Sequence, residues 1–77
     1  MSTISKLDDR VRNIPDDLSL EEADRFLRHY GYVKKRQKGS HCIFKKDSAQ
    51  MINLQGPIVK EYQILQMIHA VDSTLDD

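Results

Sequence analysis

The chain is short of nearly everything that marks a dedicated catalytic or secreted scaffold. It has a single cysteine, Cys42, in 77 residues. One thiol cannot close an internal disulfide, and no CxxC or Cys/His pairing suggests a zinc site. Such cysteine usage fits a reducing, cytosolic setting. The opening MSTISKLDDR lacks an apolar core, so no signal peptide is expected. No apolar run approaches the roughly 20 residues that span a bilayer, and no membrane association is expected. Walker loops, GxGxxG and HExxH are absent, as are internal repeats and low-complexity tracts. No metal or other cofactor is implied. The chain is also short, so one domain is expected. A domain of this size buries only about 60% of the surface its unfolded chain exposes. A deep pocket would use up most of its core, so a function carried on the surface is expected.

Net charge is zero, yet the charges are segregated. From Arg25 to Lys46 the cations are Arg25, Arg28, Lys34, Lys35, Arg36, Lys38, Lys45 and Lys46, with no acid among them. His29 and His41 lie in the same stretch, and the acids fall before and after it. A charge run can be a plain solvated face. A long, one-signed run on neighbouring strands can also be a footprint for a polyanion.

Few breakers interrupt the chain, and each marks a boundary. Residues 3 to 14 set Ile4, Leu7, Val11 and Ile14 at helical spacing, with Ser2 or Thr3 as cap and Pro15 as the end. A second helix opens on Ser19 and Glu22, the spacing of a capping box. Its inward stripe is Leu20, Ala23, Phe26, Leu27 and Tyr30, with Asp24, Arg25 and Arg28 facing away. Gly31 stops it. Three short strands follow: Tyr32 to Gln37, Ser40 to Lys45, and Gln50 to Gln55. Lys38-Gly39 and Asp47-Ser48 are the turns between them. Turns this short predict an antiparallel meander. Strand parity sets Cys42 and Phe44 on one face, and His41, Ile43 and Lys45 on the other. Phe44, Ile52 and Leu54 are the expected core, so His41 looks outward. After Gly56-Pro57 a last helix runs from about Ile58 to Val71, with Tyr62, Ile64, Leu65, Met67, Ile68, Val71 and Leu75 as its apolar set. That stripe is wide for one sheet face. It is read as a well-buried helix, with the alternative that Met67 or Tyr62 faces a partner protein. The acidic tail, 72 to 77, is expected to fray.

The order is α-α-β-β-β-α, an α+β class. A meander flanked by the last two helices has the shape of a double-stranded-RNA-binding domain. Division of the chain follows: an N-terminal helical extension over 1–15, a core unit over 19–71 and the tail over 72–77.

His41 is the leading candidate for chemistry. RNA is cleaved without metal when one group takes the 2′-hydroxyl proton and another protonates the leaving 5′-oxygen. Imidazole titrates near neutrality and suits the task. Neighbouring cations would stabilise charge on the phosphate oxygens. Gly39 lets backbone approach a phosphate, and Ser40 offers a hydroxyl and an amide. The competing reading is an exposed histidine with no role. His29 sits near a helix C-terminus, where a cation is favoured, and capping is its expected job. His69 has no cations around it. Cys42 points opposite to His41, which argues against a Cys-His pair. Tyr30 is expected in the core, and Tyr32 is either core or a base-stacking platform.

The segment FLRHYGYVKKRQKGSHCIFKK resembles the HicA family of small messenger-RNA endoribonuclease toxins. Their pattern is a helix ending in an apolar-Gly-aromatic step, a basic strand, Gly-Ser-His, and an apolar strand ending in an aromatic. Here these are Tyr30-Gly31-Tyr32, then Lys34, Lys35, Arg36 and Lys38, then Gly39-Ser40-His41, then Phe44. The resemblance spans roughly residues 19 to 71 and leaves the N-terminal helix outside the minimal unit. It implies a double-stranded-RNA-binding-domain-like fold and catalysis by His41. The phosphate-binding set would be Lys34, Lys35, Arg36, Lys38, Gly39, Ser40 and Lys45. It also implies a HicB-like antitoxin as partner, with operator DNA reached only through that antitoxin. A non-catalytic RNA- or DNA-binding module of the same shape is the alternative, and a protein-interaction domain whose cations meet an acidic partner is a third reading.

Overall fold

A computed structural model describes residues 3–47 and 49–75. Its elements are α1 (Thr3–Arg12), α2 (Leu20–His29), β1 (Val33–Lys38), β2 (His41–Lys45), β3 (Ile52–Gln55) and α3 (Glu61–Leu75). The strands form one antiparallel sheet in the order β1-β2-β3. The α+β class and the meander agree with expectation. Ser2 and the side chain of Ile4 lie outside the described residues, as do Ser48, the side chain of Leu75, and both Asp76 and Asp77.

Helices and sheet close on a single core. Leu7 and Val11 enter it from α1, Ala23, Phe26 and Leu27 from α2, and Ile64, Met67, Ala70 and Val71 from α3. The sheet contributes Cys42 and Phe44 from β2 and Ile52 and Leu54 from β3. Each fully buried side chain of the size of leucine or phenylalanine contributes about 1.5–3 kcal/mol. Met67 is a core residue, and Tyr62 and Leu65 are the members of the wide stripe that face out, at 64% and 46% exposure.

Element ends differ from expectation for local reasons. α1 stops at Arg12 rather than Ile14, because the residue before a proline is disfavoured in the right-handed helical region. Ile14 instead takes φ 53°. α2 opens on the expected box: the Ser19 hydroxyl accepts from the Glu22 amide, and the Glu22 carboxylate accepts from the Ser19 amide. β1 starts one residue late, because Tyr32 turns into the core at 2% exposure and donates its hydroxyl to the Gln50 carbonyl at 3.1 Å. α3 begins at Glu61, not Ile58. Ile58 bridges to Ser19, and the Val59 amide donates to the Leu18 carbonyl at 2.8 Å, which ties this segment to the start of α2. The Gln63 side chain then accepts from the Lys60 amide at 3.1 Å and caps the helix.

At its other end α3 carries through to Leu75 instead of fraying at Asp72. Arg12 explains this. Its guanidinium donates to both Asp72 oxygens, at 3.0 and 3.2 Å, and also to Asp8 and the Tyr30 hydroxyl. One side chain thus joins α1, α2 and α3.

Candidate nucleic-acid interface

The hairpin loop between β1 and β2 is Gly39-Ser40, one residue later than expected, and Lys38 pairs directly with His41. Gly39 has φ +60°. A two-residue loop with glycine at its first central position is the II′ arrangement, which matches strand twist. A Cβ at Gly39 would meet nothing within 4 Å, so glycine answers to backbone conformation there rather than to crowding. Ser40 is exposed, and its carbonyl accepts from the Gly56 amide at 2.8 Å, which pins the loop to the end of β3.

Pairing then fixes which side chains share a face. Val33 pairs with Lys45 and Lys34 with Phe44. The register shifts between Lys34 and Arg36, after which Arg36 pairs with Ile43, Gln37 with Cys42 and Lys38 with His41. Lys35 is thus the extra residue of a β-bulge. Side chains opposite each other across a pair lie on one face. The outward face therefore carries Val33, Arg36 and Lys38 from β1, His41, Ile43 and Lys45 from β2, and Asn53 and Gln55 from β3. Without the bulge, alternation would send Arg36 and Lys38 to opposite sides from Val33.

Arg36, Lys38, His41 and Ile43 line a surface depression of about 460 Å³, with no carboxylate among its lining residues. A second depression of about 480 Å³ adjoins Lys35 and Lys45, with Val33, Met51 and Asp47 around it.

The basic stretch divides in two on this structure. Arg25 pairs with Glu21 at 3.0 Å and Arg28 with Asp24 at 2.7 Å, each one helical turn apart. Lys34 lies 3.8 Å from Asp24 and donates to the Gln37 side chain. Lys46 donates to the Tyr30 carbonyl at 2.7 Å and so clamps the end of α2. The side chains of Lys35, Arg36, Lys38 and Lys45 make no hydrogen bond or ion pair with the described residues. The candidate set accordingly splits. His41, Arg36, Lys38 and Ser40 gather at one end of the outward face and Lys35 and Lys45 at the other. Lys34 turns toward α2, beside Cys42 and Asp24.

Other titratable groups are accounted for by packing. Burial pushes the Cys42 thiol up, with Lys34 opposing it, so the thiolate is disfavoured. Cys42 also lies on the face opposite His41. His29 is exposed and packs edge-on against Tyr30, ring centroids 5.0 Å apart. Among the described residues, no three His, Cys, Asp or Glu side chains converge to hold a metal ion. No helix there is long and apolar enough to cross a membrane. Neither Tyr30 nor Tyr32 is open to a base. Tyr30 is half-buried among Asp8, Arg12 and Phe26, and Tyr32 is core.

Compared with known proteins, the chain matches no family model, no curated sequence and no solved structure.

Proposed function

We propose that this protein is a HicA-like endoribonuclease of double-stranded-RNA-binding-domain-like fold that cleaves messenger RNA in the cytoplasm. A HicB-like antitoxin would hold it inactive. One observation carries the reading: His41 stands in a depression with Arg36 and Lys38, two cations that no described residue neutralises. Such a pair is placed to hold a phosphodiester against the imidazole.

In this mechanism the RNA backbone lies along the outward face. Arg36 and Lys38 bind the non-bridging oxygens of the scissile phosphate and offset the charge that builds on them. His41 takes the 2′-hydroxyl proton as that oxygen attacks phosphorus. The bond to the 5′-oxygen breaks, and solvent water, which reaches the open depression, supplies its proton. The products are a 2′,3′-cyclic phosphate and a free 5′-hydroxyl. Lys35 and Lys45 hold a neighbouring phosphate.

The test is cleavage of a single-stranded transcript, in chelator, by wild type and His41→Ala. His41 is exposed, so the variant keeps its fold. Loss of the acid/base group lowers the rate by about 10²–10⁴. On induced expression, growth arrest is relieved in parallel. Undiminished cleavage by folded His41→Ala removes this histidine from the mechanism. Binding without cleavage by the wild type identifies a non-catalytic module.

A further inference from the structure

Tyr62, 64% exposed at the start of α3, is the most exposed large hydrophobic side chain of the described residues. It borders a cleft of about 340 Å³ with Gln55, Gly56, Pro57, Ile58, Lys60 and Gln63. The cleft is joined to the His41 end of the outward face in two ways. Gln55 is the β3 partner of His41, and the Gly56 amide bonds the Ser40 carbonyl at 2.8 Å. Opposed residues of an antiparallel pair lie about 4.5–5.5 Å apart at Cα. The cleft therefore opens beside the histidine.

One wall is built for a polar guest. Gln63 is only 4% exposed. Its carbonyl oxygen is committed to the Lys60 amide, at 3.1 Å. Its amide nitrogen has no partner among the described residues, where no buried side-chain nitrogen or oxygen is left unsatisfied. That nitrogen must reach open space, and the cleft is the space Gln63 lines. An exposed phenol ring, an inward N–H donor, the Gln55 amide and the Lys60 ammonium make a set that fits a nucleobase with its phosphate. A purely apolar protein anchor would leave the Gln63 donor unmet.

We infer that this cleft is a nucleobase subsite: the base next to the scissile phosphate stacks on Tyr62 and accepts a hydrogen bond from Gln63. The inference rests on the RNA reading above and adds to it a contact that selects single-stranded substrate.

The experiment measures equilibrium binding of two short single strands of equal length and charge. One is an oligoribonucleotide bound to the His41→Ala protein, which prevents cleavage. The other is an abasic sugar-phosphate strand. Each is titrated against His41→Ala alone and combined with Tyr62→Ala or Tyr62→Phe. Loss of stacking weakens binding of the base-bearing strand by roughly 5- to 150-fold in the Tyr62→Ala protein, equivalent to about 1–3 kcal/mol. Tyr62→Phe retains most of the affinity, and the abasic strand binds all three proteins alike. Abasic binding with no Tyr62 effect on the base-bearing strand overturns the subsite and spares the phosphate groove. Failure of the abasic strand to bind at low salt overturns both. A Tyr62→Ala change confined to self-association in sedimentation assigns the cleft to a second copy of this chain and also overturns it.

Discussion

Replacing Lys35 and Lys38 together by alanine tests the division of the cations most directly. Both side chains are exposed and neither has a partner among the described residues, so the fold should be untouched. For single-stranded nucleic acid, log affinity falls with log salt at a slope of about −0.7 per phosphate neutralised. The unpartnered cations Lys35, Arg36, Lys38 and Lys45 therefore give the wild type a slope of about −2.8. Raising salt from about 50 to 200 mM should then cost roughly 50-fold in affinity. Removing two of the four lowers the slope to about −1.4 and the loss to roughly 7-fold. The control is Arg25→Ala with Arg28→Ala, which deletes two equally basic residues. Those arginines sit against Glu21 and Asp24, so the slope should barely move. The assay is fluorescence-anisotropy titration of a labelled single-stranded RNA in the His41→Ala background across a salt series. An unchanged slope in the lysine double variant would refute the footprint. An equal drop in the arginine variant would show that pairing within the chain does not decide which cations meet the RNA.

Two further tests concern the scaffold that holds this face. Arg10 donates to Glu22 at 2.8 Å, and Ser19 adds to the contact, so the Glu22 carboxyl is held below its usual range despite partial burial. A depressed folded pKa gives stability that is present above the unfolded value and lost as pH falls through the folded one. Thermal melts by circular dichroism should show the wild type losing more midpoint than Glu22→Gln below about pH 5, and parallel curves would sink the linkage. For Cys42, burial and a raised thiol pKa predict slow alkylation by iodoacetamide at neutral pH, at a rate that follows unfolding. Rapid labelling of the folded protein would show that the inner face of β2 is open.

Much of this arrangement was legible in residue types. Ser19 and Glu22 marked the start of α2, Gly31 its stop, and the alternation of Cys42 and Phe44 with His41 and Ile43 fixed the faces of β2. The pairing of Arg25 and Arg28 was also within reach, because each has an acid four residues earlier. What misled was treating the run as one charged unit, when its helical part is neutralised by the helix's own acids. The start of β1 and the start of α3 escaped because they depend on contacts distant in sequence. Tyr32 is fixed by the Gln50 carbonyl, and Ile58 by Ser19. Tyr62 stood out only as one member of a wide apolar stripe. Its exposure follows from the late start of α3, which puts it on the helix's first turn at the edge of the sheet.

The bulge at Lys35 had no signature at all, and for a definite reason. Register is legible where apolar and polar residues alternate, because a slip would bury the wrong set. In β1 the run Lys34-Lys35-Arg36-Gln37-Lys38 is polar throughout, so residue type marks no phase. The phase comes from outside: the buried Tyr32 fixes one end of the strand, and the Gly39-Ser40 loop fixes Lys38 opposite His41 at the other. The five positions from Lys34 to Lys38 face only the four from His41 to Phe44, so one residue must stand out of the pairing. That mismatch turns Arg36 and Lys38 toward His41 while leaving Lys34 with Asp24. The uniform polarity of the run from Lys34 to Lys38 is what permits it, since no apolar side chain within that run is exposed by the change of phase. A surface strand of cations can thus serve two faces, and the loop and the core on either side decide how many of them the histidine receives.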